Sequence, residues 1–173
     1  MNVQPYLADI SGLDADRLLD DWRWLLGDRR LTVFRATAMG DLILQDEAGQ
    51  FHFLDVMCAE LQILAHRESE LWDVLTDPRH RKTFLATFIV RDLRDGGVVL
   101  GPRECYSPAH PPVLGGSLSR DNLRPCHILV HASIMGQIHR QVKNLRPGQL
   151  VDIKFKGPGA KPDAPATPDP ETN

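Results

Sequence analysis

Hydrophobic positions along this chain change period several times, and each change marks an element. In residues 13–28, LDADRLLDDWRWLLGD, the apolar Leu18, Leu19, Trp22, Leu25 and Leu26 recur at helical spacing, which predicts an amphipathic helix with one stripe against a core. Asp14 and Asp16 fall in its first turn, where the helix dipole favours anions, and Gly27 supplies a stop. The period then drops towards two. Residues 31–38, 41–46, 50–57 and 60–65 are short runs rich in β-branched and aromatic side chains, and EAG at 47–49 is a glycine-bearing hairpin loop. In the third run Phe51, Phe53 and Asp55 share one face and His52, Leu54 and Val56 the other. Four strands so close together predict an antiparallel meander.

A helical period returns in 68–77, which stops before Pro78, and in 80–97, where Phe84, Leu85, Phe88, Ile89 and Leu93 form a stripe closed by Gly96-Gly97. VVLGPRECY then leads into a proline-rich connection. CHILVHA at 126–132 alternates, with His127, Leu129 and His131 on one side, and predicts a strand. Residues 133–145 predict a helix with Ser133 as N-cap, and 150–155 a last strand. From Gly157 on, five prolines and no large apolar residue predict a disordered tail. The expected architecture is α+β: an antiparallel β-meander sheet packed against several helices, a single domain over 1–156, with a Pro-rich tail over 157–173.

Composition narrows the class. A chain of 173 residues with 42% hydrophobic and 25% charged content can bury a core without metal or disulfide support. The odd count of three cysteines argues against a disulfide framework and fits a reducing compartment. The first residues have neither the basic nor the apolar region of a secretory signal, and no run suffices for a membrane span. Cytoplasmic residence is expected. The net charge of −3 conceals a gradient: residues 1–60 carry 11 Asp/Glu against 5 Arg, whereas 120–156 carry 7 Lys/Arg against 2 Asp. An acidic N-terminal face could steer a basic partner.

The stretch CYSPAHPPVLGGSLSRDNLRPCHILVH, 105–131, concentrates the chemical side chains. His127 and His131 have the spacing of a zinc-binding pair on a helix. On the strand predicted here they stand about 13 Å apart, too far to share an ion. Cys126 and His127 are neighbours, so a strand sends them to opposite faces, against the thiol–imidazole contact a nucleophile needs. No Gly-x-Ser-x-Gly elbow or phosphate loop is present. Direct nucleic-acid binding is disfavoured by aromatic content of 6% and a pI near 6.1. An enzyme using Cys105, Cys126 and nearby histidines, dependent on metal or thiol, is the alternative that remains. A general interaction module is another.

Taken in order, several motifs resemble a known family. They are Thr37 to Asp41 (T-x-x-G-D), the Gly49 hairpin with Asp55, Glu104-Cys105-Tyr106, Pro112, Leu114-Gly115-Gly116, Asn122, and His131 to Gln137. Over about residues 15–145 the chain is similar to the C-terminal domain of type VI secretion immunity proteins that neutralise DNase toxins. The resemblance implies a cytoplasmic α+β protein with no catalysis, metal or cofactor, which binds a cognate nuclease-type toxin. It marks Gly40, Asp41, Cys105, Tyr106, Leu114, Gly115, Gly116, Asn122 and Gln137 as fold-defining, and supplies no partner-binding residues. Full-length members carry a larger N-terminal domain, whereas here about a dozen residues precede the first predicted helix. A homodimer through an exposed strand edge is also expected to be open to such a fold.

Overall fold

The computed structural model describes residues 2–146 and 148–156; the expected tail at 157–173 lies outside them. Two β units and a set of helices share one core. The first is a four-stranded antiparallel sheet in simple meander order: β1 (Leu31–Ala36), β2 (Leu42–Asp46), β3 (Phe51–Asp55) and β4 (Glu60–Ala65). Its β2–β3 hairpin turns at Gly49, φ 82°, and Asp46 fastens it by accepting from the N–H groups of Ala48 and Gln50. The second is a two-stranded antiparallel pair, β5 (Glu104–Pro108) with β6 (Leu123–His127). The α+β meander architecture read from the sequence is the one observed.

The first helical stretch is tighter than expected. Residues Ala15–Trp22 form a 3₁₀ helix that passes into α1 (Arg23–Leu26) and ends at Gly27, φ 63°. On a 3₁₀ spiral Leu19 and Trp22, three apart, eclipse one another, so both are buried. This segment packs on α5 (Ile128–Val142). Two indoles tie them together: Trp22 Nε1 donates to the Ala132 carbonyl at 3.0 Å and Trp24 Nε1 to that of Gly136 at 3.2 Å.

After α2 (Glu68–Thr76), the single helix expected over 80–97 is two: α3 (His80–Phe84) and α4 (Thr87–Asp95). Ala86 between them takes φ 43°, which restarts the helical phase. Thr87, Val90 and Leu93 then face the core while Phe88, expected in the stripe, is 83% exposed.

Four further differences fall between residues 104 and 155. Residues 104–108, expected as the lead into a loop, form β5. The strand expected over 126–132 ends at His127, and α5 begins at Ile128. The buried positions Ile128, His131, Ala132, Met135, Ile138 and His139 follow a 3.6-residue period; the β-branched run ILV had concealed it. The N-cap is His127, whose Nδ1 accepts from the Leu129 N–H at 3.3 Å, and Ser133 lies inside the helix. Residues 150–155 join no sheet.

At Gly136 the N-terminal stretch lies close against α5, since a Cβ there would stand 2.7 Å from the Asp21 carbonyl oxygen. We predict that Gly136→Ala destabilises the protein by about 1–3 kcal/mol through overpacking, despite alanine's better helix propensity, as read from the urea midpoint. An unchanged midpoint would contradict this packing.

Candidate functional site

The residues singled out in the sequence separate into a buried junction, a loop clamp and one surface position. At the junction, the turn from β1 to β2 meets β5 and α5. Thr37 organises the turn: its Oγ1 accepts from the N–H groups of Met39 (3.2 Å) and Asp41 (3.1 Å), and its hydroxyl donates to Asp41 Oδ2 at 3.2 Å. Asp41 Oδ1 accepts from the Val56 N–H at 3.0 Å, tying the turn to the end of β3. Gly40 has φ 88°, and any Cβ on it would collide with the His131 ring and stand 3.1 Å from Cys105 Sγ. It is the lack of a side chain, as well as the backbone conformation, that this position requires.

Burial sets the chemistry of this junction. The Asp41 carboxyl is pushed up to about 7, chiefly by desolvation and then by the charge of Asp55. His131 is pushed down to about 4 by desolvation; its Nδ1 pairs with Ser107 Oγ at 2.9 Å and its Nε2 is buried without a partner. Cys105 is fully buried, and desolvation holds its thiol well above the ordinary value. Cys126 is directly opposite Cys105 in the β5–β6 register, and its thiol is raised by desolvation. Cys58 is exposed, its thiol raised to about 11 by desolvation and the Asp55 charge. None of these thiols is poised as a thiolate.

His127 and His131 are not on one strand: the first caps α5 and the second is buried against Ser107. Among the described residues no three His, Cys, Asp or Glu side chains gather as a group that could hold a metal ion.

Tyr106 is buried and its hydroxyl donates to the Val98 carbonyl at 2.8 Å. Asn122 closes the proline-rich loop. Its Oδ1 accepts from the His110 N–H at 2.9 Å, and its Nδ2 donates to the carbonyls of His110 and Ser117, both at 2.7 Å. Within that loop Leu114 ends a 3₁₀ turn, Gly115 takes φ 95°, and a Cβ on Gly116 would collide with the His110 carbonyl.

Several of the N-terminal carboxylates are drawn into local contacts, while Asp9, Asp14, Asp20 and Glu60 remain exposed. Asp41 is buried, Asp46 pairs with His52 at 2.9 Å, Glu47 with Arg30 at 3.1 Å, and Asp21 accepts from the Ser133 hydroxyl. Asp16 and Asp28 share a cleft of about 590 Å³ with Arg23, Arg29 and Arg30, so that surface is mixed in sign.

Residues 65–139 match the family described as T6SS immunity protein Tdi1, C-terminal. The resemblance drawn from the sequence is borne out over that stretch, which runs from the end of β4 into α5 and holds Cys105, Tyr106, Asn122, His131 and Gln137. Gly40 and Asp41 precede it, and Gly40 packs directly against His131 within it. Among solved structures, the fold is similar to the crystal structure of Atu4351 from Agrobacterium tumefaciens, at 16% identity and a TM-score of 0.51, covering 72% of this chain. The chain spans about 65% of the length of that protein. No curated protein matches it.

One arrangement had been only half legible. Gln137 was singled out, but not its companion Gln141, four residues on along α5, nor the C-terminal segment both amides hold. The i, i+4 spacing of two glutamines on one helix face was the available signal.

The junction predicts opposing pH effects. Asp41 binds its proton more tightly in the fold than unfolded, so its contribution is present below about pH 4 and is lost as pH rises towards 7. His131 is neutral in the fold, so its contribution is present above about 6.5 and is lost as pH falls towards 4. Above pH 6.5 the Asp41 effect acts without opposition from His131. Asp41→Asn should therefore compare better with wild type at pH 8 than at pH 5 in urea melts, and an equal difference at both would refute the assignment.

Proposed function

We propose that this chain is a non-enzymatic protein-binding domain of immunity type, which binds a cognate nuclease toxin and neutralises it in the bacterial cytoplasm. The observation that carries this is the match of residues 65–139 to a T6SS immunity family. The junction supports it. The side chains that an enzyme of this size would use, Cys105, His131 and Asp41, are each at most 8% exposed, and His131 is spent on Ser107 rather than on a thiol. Among the described residues no helix is long and apolar enough to cross a membrane.

On this reading residues 1–156 act as one domain. Gly40, Asp41, Cys105, Tyr106, Leu114, Gly115, Gly116 and Asn122 hold its architecture, and recognition falls to other surfaces. The toxin is met as a protein, with no DNA contact by this chain. The reading does not require a uniformly acidic face, since Asp46 and Glu47 are paired with His52 and Arg30 and the nearby cleft is mixed in sign.

The test is inhibition of a nuclease toxin sought among the genes adjoining the one for this chain. An equimolar amount of the purified protein should suppress cleavage of plasmid DNA at micromolar concentrations, as nanomolar binding requires. Undiminished cleavage at a large molar excess would contradict the proposal.

A further inference from the structure

The C-terminal segment lies along α5 in an arrangement that neither its sequence nor the family match explains. Gln141 Oε1 accepts from the Lys154 N–H at 3.0 Å while its Nε2 donates to the Lys154 carbonyl at 2.9 Å. Gln137 does the same for Lys156, accepting at 2.8 Å and donating at 3.1 Å. Each side-chain amide therefore reads both main-chain groups of one residue, as a neighbouring strand would. The spacing explains why two amides suffice. Four helical residues rise about 6 Å, and two residues of extended chain advance about 6.6 Å, so glutamines one turn apart meet alternate residues.

The amides are also held from within the fold. The second Nε2 proton of Gln137 goes to Ser133 Oγ at 3.0 Å, and that hydroxyl is fixed by Asp21. The second Nε2 proton of Gln141 goes to the Gln137 carbonyl at 3.1 Å. Both orientations are thus set by α5 and the N-terminal 3₁₀ helix. Within the seated segment Phe155 is 57% exposed and Ile153 half-buried. Main-chain bonds at the surface hold it, each of small net worth. Along the same stripe of α5, Ile134 and Val130 continue past the segment, 37% and 38% exposed.

We propose that Gln137 and Gln141 form a main-chain-recognising site for an extended segment of a partner protein, occupied in the free chain by residues 152–156 as an exchangeable strap. Recognition is of backbone amides, so it tolerates varied side chains and rejects proline at the two bonded positions. The inference does not depend on the toxin reading: it names a surface and a mode of contact, and its test uses this chain and synthetic peptides alone.

The test is fluorescence anisotropy on the full chain. One labelled peptide reproduces residues 150–156, a second alternates threonine and valine over the same length, and a third carries proline at the two bonded positions of the first. A K154P/K156P chain cannot seat its own strap. It should bind the first two peptides at least about tenfold more tightly than wild type, because the site is no longer mostly filled. The proline peptide should not bind. Gln141→Glu added to that chain keeps size but removes the donor, and should weaken both peptides, with thermal melts confirming that each variant is folded. Binding that is equal in wild type and the strap variant, absent from both, or shared by the proline peptide would overturn the proposal. So would a wild-type dimer on size exclusion that K154P/K156P abolishes, since the occupant would then be a second copy.

Discussion

The structure depends on the contact between Gly40 and His131. A turn from the N-terminal sheet is pressed so closely onto α5 that no side chain fits between them, with Cys105 of the second β unit 3.1 Å from the space a Cβ would take. Three elements far apart in sequence meet there, and each is constrained by the other two. Thr37 and Asp41 give the turn its shape by side-chain bonds to its own backbone, and Asp41 extends the hold to Val56. A carboxyl group raised to about 7 by burial at Asp41, one residue from the glycine that meets an imidazole lowered to about 4, would look like catalytic tuning if the groups faced a cavity. Facing each other's elements inside a packed interior, they mark the cost of building the junction from polar residues.

This explains why the cysteines and histidines of the central stretch suggested chemistry. They are chemical in type and structural in placement. His131 is turned towards Ser107, Cys105 is sealed, Cys126 stands across the strand pair, and His127 is consumed in capping α5. Among the described residues, surfaces open to another molecule are peripheral and include the mixed-charge cleft beside the β2–β3 hairpin and the face of α5 where two glutamines hold an extended segment. A protein that acts by binding needs a rigid frame and an adaptable surface, and the division between them follows this boundary.

Much of the frame was legible in the sequence because it obeys local rules. The meander strands announce themselves by alternation and by a glycine hairpin, and α2 by its period and the proline beyond it. Errors arose where tertiary contact overrode local preference. Ala86 adopts a left-handed conformation that no propensity indicates, and so Phe88 turned outward. Ile128 to Val130 favour strands by composition, but Ile128 and Ala132 belong to a buried helical face. Gly40 and Asp41 were picked out for a turn, which they make; that Gly40 serves equally to admit an imidazole required the structure. The strap on α5 was out of reach for the same reason, since it arises from matching two repeats in separate elements.

The central claim, that the junction is closed architecture rather than a reactive site, can be tested by cysteine accessibility. The native protein would be treated with a thiol-specific reagent under mildly alkaline conditions, with modified positions followed by peptide mass spectrometry and compared with unfolding rates. The account predicts that exposed Cys58 reacts in the folded state and that Cys105 reacts only as fast as the protein unfolds globally. Rapid modification of Cys105 in the native protein, ahead of unfolding, would contradict it.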